Sequence, residues 1–288
     1  MNREDRINYY LGEFINNRKY DENEMVDSNN LELNNDGGVF VVYDRALYNL
    51  LSKTKNLDKN FRWFRGDNNI RETKPYSLVK NRYENNNGII LRCLEFGRHW
   101  DNYYNRPKDI PFRDKINKII WRGATTGETT DKGNRFKLVT KWYNKHENID
   151  VGFSQIVQGK DEYNNYVKGE CSITDLLKYK YILSVRGNDK DSGLQWKLNS
   201  NSVVLMTKPK VCSWLMESTL LPNYHYVLLK DDFSDLKEKL NWCNNNENKC
   251  KNIIKNAHEF MSQFKDNNLE EELENSVIEK YFEIREKK

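Results

Sequence analysis

The chain has 288 residues, which is enough for one large domain or two ordinary ones. Its 47 basic and 43 acidic residues are mixed along the sequence and leave a net charge of only +4, so the composition gives no reason to expect a nucleic-acid-binding surface. The first residues lack the apolar segment of a signal peptide, and no apolar run reaches the length of a membrane span, so we expect a soluble, cytoplasmic protein.

The cysteines and histidines give no sign of a metal centre. Five cysteines are scattered without a Cys-x-x-Cys pair, which is typical of reduced thiols, and four histidines are far apart along the chain. The sequence also lacks a P-loop, a Gly-x-Ser-x-Gly motif and a His-Glu-x-x-His motif. We therefore expect neither a bound metal nor a cofactor.

Two acidic residues in the N-terminal half are candidates for a catalytic base. Residues 39–43 are rich in β-formers and predict a strand that ends at Asp44, followed by a helix over residues 46–51. A carboxylate at the end of a strand is a common catalytic position in α/β folds, although Asp44 can equally cap the helix. Asp101 follows a second strand, predicted over residues 88–94, where a solvated loop is the other interpretation.

A boundary between two domains is predicted near residue 112. Residues 106–112 contain two prolines in an irregular sequence that is typical of a linker. We therefore predict one domain over residues 1–112 and another over residues 113–288. Helical periodicity over residues 252–284 predicts a helical tail at the end of the second domain.

The second half opens with a strand, predicted over residues 116–121, that runs into a turn rich in glycine and threonine. A helix is predicted to begin near residue 134. Backbone amides, hydroxyls and a fixed cation are the groups that a diphosphate needs, and this segment supplies all three. Its candidate phosphate ligands are Arg122, Gly123, Thr125, Thr126, Gly127 and Arg135.

The pattern of strand, polar loop and helix recurs further along the chain. A strand over residues 181–185, a short helix from residue 194 and a strand over residues 202–206 predict a βαβ unit of a parallel sheet. Ligands bind such units where a strand ends and a helix begins. The candidate ligands of a phosphate-bearing molecule here are Arg186, Gly187, Asn188, Asp189, Ser192, Gly193, Trp196 and Lys197.

Two acidic residues in this loop leave an alternative open. Asp189 and Asp191 have the Asp-x-Asp spacing that can chelate a divalent ion between a diphosphate and the protein. Asp189 can equally cap the following helix. We favour this interpretation over a metal site, because short carboxylate pairs are often merely solvated.

Three blocks of sequence resemble glycosyltransferase family 90. They are residues 120–127 with residues 135–136, then residues 187–204, and then residues 213–217 with Pro222, His225 and Tyr226. Their order and spacing are most similar to the bacterial and viral branch of the family. The family includes protein O-glucosyltransferases and enzymes that modify capsules and lipopolysaccharides.

The resemblance implies an α/β fold of the GT-B type, with two Rossmann-like domains facing across a cleft and the nucleotide sugar held mainly by the C-terminal one. It implies inversion at the anomeric carbon without a bound metal such as Mg²⁺ or Mn²⁺. The implied base falls on Asp44, with Asp101 in reserve, and Glu217 would accept hydrogen bonds from ribose or sugar hydroxyls unless it is a surface residue.

The implied reaction moves a sugar, glucose or xylose, from a UDP-sugar to a hydroxyl of a glycan or other saccharide. Family members that glucosylate proteins carry an Arg where Gln195 stands, so an expected cation near the donor is absent and the donor can differ from UDP-glucose. The location would be the cytoplasm, or the host cytoplasm for a viral chain. A non-catalytic nucleotide- or glycan-binding module and a metal-dependent transferase using Asp189 and Asp191 are the alternatives.

Overall fold

The computed structural model describes residues 1–16, 25–33, 41–66, 76–83 and 86–287. They divide into two compact units. The first unit is Met1–Arg98, Lys210–Ser218 and Gln263–Lys288, and the second unit is His99–Pro209 and Thr219–Ser262.

Helices and short strands alternate along much of the described chain. The helices are α1 (Arg3–Leu11), α2 (Val41–Lys53), α3 (Phe96–Tyr104), α4 (Arg135–Trp142), α5 (Ile173–Leu176), α6 (Leu194–Leu198), α7 (Leu236–Asn245), α8 (Glu247–Ser262) and α9 (Asn267–Glu286). The strands are β1 (Leu78–Val79), β2 (Asn81–Tyr83), β3 (Ile89–Ile90), β4 (Ile116–Gly123), β5 (Ile149–Phe153), β6 (Tyr179–Ser184), β7 (Val203–Met206), β8 (Val211–Ser213) and β9 (Val227–Leu228).

The second unit is built on a five-stranded sheet in the order β5-β4-β6-β7-β9, with every neighbouring pair parallel. Side chains alternate between its two faces, as pleating requires. Trp121 packs into the larger buried cluster together with residues of α4, α7 and α8, whereas Ile120 packs with Trp196 of α6 in a smaller cluster. The sheet therefore has apolar clusters on both faces, which is the arrangement expected of a parallel sheet.

The predicted βαβ unit is confirmed as β6-α6-β7, and the predicted strand at residues 116–121 is confirmed as β4. Since β4 and β6 are parallel neighbours, their carboxyl ends lie at the same edge of the sheet. The loops that follow these two strands are thus placed side by side.

The strand predicted at residues 39–43 is wrong where the structure describes it. Residues 41–43 begin α2, while residues 39–40 lie outside the described residues. The helix forms because Tyr43, Leu47 and Leu50 are spaced by three or four residues and bury one face. Strand β3 is also shorter than predicted, and Asp101 lies in α3 rather than in a loop.

The first unit is held together by α1, α9 and a buried ion pair. Arg6 of α1 donates to both carboxylate oxygens of Glu270 in α9, at 2.6 and 2.7 Å, and Trp214 donates to the same carboxylate at 2.5 Å. The Tyr10 ring stacks on Trp214 at a centroid distance of 3.8 Å. Because α9 is tied to α1 in this way, the C-terminal helix belongs to the first unit and is not a tail of the second.

The segment over residues 106–112, predicted as a linker, is part of the second unit. The buried carboxylate of Asp109 accepts from Lys115 Nζ at 2.5 Å and from the backbone N–H of Asn201 at 2.6 Å. These bonds fix the segment against the sheet. The predicted boundary at residue 112 stays a prediction. Within the described residues, every helix is too short or too polar to cross a bilayer.

Candidate functional site

The two loops predicted to bind a diphosphate are in direct contact at the carboxyl edge of the sheet. The backbone N–H of Gly127, after β4, donates to Oδ1 of Asn188, after β6, at 2.8 Å. A Cβ atom on Gly127 would lie 2.6 Å from the carbonyl oxygen of Gly187, and one on Gly187 would lie 2.6 Å from Thr126 Oγ1. Gly127 also has a φ of +96°, which side chains rarely tolerate. Glycine at both positions therefore permits the close approach.

Arg135, at the start of α4, ties the same two loops together. Its Nη1 donates to the carbonyl of Ala124 at 2.9 Å and to Thr126 Oγ1 at 2.7 Å, and its Nε donates to the carbonyl of Arg186 at 3.2 Å. Burial lowers the pKa of Arg135, against the opposing effect of the nearby carboxylates. The guanidinium predicted to contact phosphate is thus a brace between the loops.

Asp191 of the second loop and Lys197 of α6 form a buried pair. Lys197 Nζ lies 2.5 Å from Asp191 Oδ2 and donates to the carbonyl of Leu183 at 3.2 Å. Burial alone raises the pKa of Asp191, but Lys197 and the N–H of Gly193 outweigh it and hold the pKa below its usual value. The carboxylate is therefore engaged by an internal cation.

The metal alternative stays untested, although both of its carboxylates make contacts within the protein. Asp189 Oδ1 accepts from the backbone N–H of Lys190 at 2.5 Å, and the described part of the chain contains no group of three His, Cys, Asp or Glu side chains arranged for a metal ion. The predicted capping role of Asp189 is wrong, because the N-cap of α6 is Gly193.

Arg122 is engaged elsewhere than at the loops. Its Nη2 donates to both carboxylate oxygens of Asp150 in β5, at 2.9 and 3.0 Å, and Nη1 donates to the carbonyl of Trp121 at 2.8 Å. Lys168 contacts the same carboxylate at 2.8 Å. Arg122 therefore joins β4 to β5 in the position where we predicted a phosphate ligand.

The other predicted donor ligands have mixed surroundings. Thr125 is fully buried and exchanges hydrogen bonds with the backbone of Val157, and Trp196 is a core residue. Ser192 is partly exposed. Arg186 pairs with Asp131, for which the sequence contains no functional signal. Gln195 is fully buried, and neither polar atom of its amide has a hydrogen-bond partner among the described residues.

The three predicted carboxylates outside the loops differ in exposure. Asp44 is fully buried and accepts from the N–H of Glu32 at 2.7 Å, from Trp63 Nε1 at 3.0 Å and from Arg65 at 2.6 Å. All three donors lie outside α2, so Asp44 does not cap its own helix.

Asp101 is exposed on α3. Glu217 is buried in the first unit rather than at the surface, and it accepts from the N–H and the hydroxyl of Ser213 at 2.7 and 2.8 Å. The roles of these carboxylates as a base and as a ligand of the donor stay predictions.

The comparisons with known proteins agree with the resemblance seen in the sequence. Residues 98–282 match the model of glycosyl transferase family 90. The chain belongs to this family. The match begins near the start of the second unit and includes both loops.

Relatives in the family come from bacteria, viruses and animals. The chain is 34% identical to O-glucosyltransferase LpsA of Dichelobacter nodosus, over 70% of this chain and 59% of that protein. It is 36% identical to protein 179R of Invertebrate iridescent virus 6 over 63% of this chain and 18% of that protein. It is 25% identical to Protein O-glucosyltransferase 2 of Danio rerio over 72% of this chain and 39% of that protein.

The chain thus spans less than two thirds of the length of each of these relatives. Among solved structures it is similar to TarM, with 16% sequence identity and a TM-score of 0.40 over 62% of this chain and 37% of that one.

Proposed function

We propose that this chain is a glycosyltransferase that moves a sugar from a UDP-sugar to a hydroxyl of a glycan or other saccharide, with inversion and without a bound metal. The observation that carries the proposal is the contact between the loops after β4 and β6, at the edge of a parallel sheet where ligands of α/β folds bind. Membership of family 90 and the names of two relatives as O-glucosyltransferases support it.

The reaction places specific demands on the chain. A base removes the proton of the acceptor hydroxyl, whose oxygen bonds to the anomeric carbon while the bond from that carbon to the diphosphate breaks, and its electron pair leaves with UDP. Negative charge then grows on the diphosphate, and hydrogen-bond donors that are already in position stabilise it best. Asp191 is already paired with Lys197, which favours stabilisation by protein groups over a metal held by that carboxylate.

The surroundings of the two candidate bases favour Asp101. A base must reach the acceptor hydroxyl, and Asp44 is fully buried under three donors. Asp101 is exposed on α3. Because three donors already occupy the Asp44 carboxylate, its surroundings also support the second candidate function, a non-catalytic module that binds the nucleotide or a glycan.

Release of UDP from UDP-glucose or UDP-xylose, with a saccharide acceptor present, tests the proposal. We expect release that persists in EDTA and falls about a hundredfold or more in Asp101→Asn, the range for loss of a general base. UDP binding without release would favour the binding module, and loss of release in EDTA would favour a metal-dependent transferase.

The donor is the open choice within this proposal. Gln195 is a buried neutral amide where the family resemblance implies an Arg in members that glucosylate proteins, so we include both glucose and xylose. A thermal-shift series with UDP-glucose, UDP-xylose, UDP-galactose and GDP-sugars would identify it, because a bound donor stabilises the folded state by mass action. We also propose the GT-B arrangement for the family's two domains and a cytoplasmic location.

A further inference from the structure

A diphosphate at the contact between the two loops needs a cation that is not already fully committed. Arg122 holds Asp150 with two bonds, Arg135 bonds to three acceptors on both loops, and Lys197 is buried against Asp191. Opening the bonds of Arg135 or Lys197 would leave partly buried acceptors or a buried carboxylate without a partner, which costs more than an exposed bond. Arg122 is held by two bonds to Asp150, a carboxylate that Lys168 also contacts. These three cations therefore hold the protein together.

Arg186 has different surroundings, although it stands immediately before Gly187 in the second loop. Its Nη2 pairs with Asp131, and the side chains of the two residues are 16% and 40% exposed, more than those of the Arg122 and Lys197 pairs. Water and salt screen a partly exposed ion pair and weaken its contribution to stability. This pair is thus easier to open than the other three.

The turn that carries Asp131 is fixed independently of its side chain. Asn134, the N-cap of α4, donates from Nδ2 to the carbonyls of Glu128 at 3.0 Å, of Thr129 at 2.9 Å and of Asp131 at 2.5 Å. The carboxylate of Asp131 can therefore release Arg186 without rearrangement of the backbone that holds it.

We propose that Arg186 binds the donor's diphosphate and that Asp131 occupies Arg186 until the donor displaces it. This inference rests on the proposed function and names the residues that act in it. Exchange of a carboxylate for a diphosphate is favourable, because the diphosphate carries more charge and offers the geometry that a guanidinium binds with two bonds. Asp131 thus lowers the affinity for the donor and keeps an unpaired cation from binding other anions.

Calorimetric titration of two charge-removing variants with UDP tests this proposal. Asp131→Asn removes the competing carboxylate with little change of shape, so we expect UDP to bind about three times more tightly, in line with the modest strength of a partly exposed pair. Arg186→Gln should weaken binding about tenfold or more, as expected for loss of a bond to a charged group.

Asp175→Asn is the matched control. Asp175 is also a partly exposed carboxylate paired with a lysine, Lys178, but it lies in α5, next to the amino end of the sheet strands. The substitution removes the same charge from the same unit, and we expect unchanged UDP affinity. Thermal unfolding confirms that each variant is folded, and Arg186→Lys replaces Arg186→Gln if the latter is not.

The double variant Asp131→Asn with Arg186→Gln distinguishes two effects of Asp131: competition for Arg186, and general repulsion of UDP by its negative charge. If Asp131 acts through Arg186, its substitution tightens UDP binding only when Arg186 is present. This inference would be overturned if Asp131→Asn tightened UDP binding equally with and without Arg186, or in neither case. Either result would leave the donor site itself in place. Failure of the folded wild-type protein to bind UDP would instead overturn the proposed donor itself.

Discussion

Gly127→Ala tests the contact between the two loops most severely. The new Cβ would lie 2.6 Å from the carbonyl oxygen of Gly187, whereas ordinary contacts begin at 3.4 Å. The obstacle is backbone, so the chain itself must move. That movement would break the bond from the Gly127 N–H to Asn188, at 2.8 Å. A single substitution therefore acts on the backbone of both loops.

The cost can be worked out from these contacts. An alanine at a φ of +96° costs about 1–2 kcal/mol. Loss of the hydrogen bond adds about 1 kcal/mol. Displacement of the Gly187 carbonyl adds a contribution of similar size, as in other overpacked sites. We expect the free energy of unfolding to fall by about 3 kcal/mol and UDP affinity to fall at least about tenfold, as one lost charged hydrogen bond would cause.

Gly169→Ala is a control that separates the cost of a positive φ from the cost of the steric clash with Gly187. Gly169 has a φ of +83°, yet nothing lies within 4 Å of its added Cβ. Urea unfolding should show that Gly127→Ala is more destabilising than this control by about 1–2 kcal/mol, and only Gly127→Ala should lose UDP affinity. Equal costs, with UDP binding intact in both variants, would refute the proposed contact and its role.

Other predictions concern the brace, the carboxylates and pH. Arg135→Lys should destabilise the protein by about 2–3 kcal/mol in urea and weaken UDP binding, because an ammonium cannot satisfy acceptors on both loops; wild-type affinity would contradict the brace. Asp44→Asn should lower the free energy of unfolding by about 2–3 kcal/mol, since Arg65 loses its buried partner, yet leave UDP release per folded molecule unchanged; loss of release would restore Asp44 as the base. Because the folded state holds the pKa of Asp191 below its usual value, its contribution is complete above about pH 4 and is lost as the pH falls further, so acid unfolding followed by circular dichroism should be less steep in Asp191→Asn. An unchanged acid transition would show that Asp191 does not contribute.

The second unit could be predicted in outline because its signals are local. The apolar runs of β6 and β7 stand on either side of a polar loop and a short helix, within fewer than thirty residues. Parallel pairing of the two strands follows from the helix between them. Since β4 also runs into a glycine-containing loop, the sequence indicates that this loop and the one after β6 share a function.

The error at α2 shows how two periodicities compete. The β-branched and aromatic residues at positions 39–43 favour a strand, but Tyr43, Leu47 and Leu50 form a stripe at helical spacing. The stripe was visible in the sequence. Burial of that stripe determines the element, because most of the stability of a helix in a protein comes from packing one face.

The partners of the charged residues could not be predicted. Arg122 and Asp150 are 28 residues apart, and Arg6 and Glu270 are 264 residues apart. Only the pairing of β4 with β5 and the docking of α1 on α9 bring these groups together. From sequence alone, Arg122 is an arginine beside a glycine turn, a pattern that predicts a phosphate ligand.

A crystal structure of the protein with UDP is the most direct test of the account. We expect the diphosphate to lie against the loops that contain Gly127 and Gly187, with Arg186 turned from Asp131 toward a phosphate oxygen. UDP bound at any other part of the chain, with the Arg186 and Asp131 pair intact, would contradict the central claim.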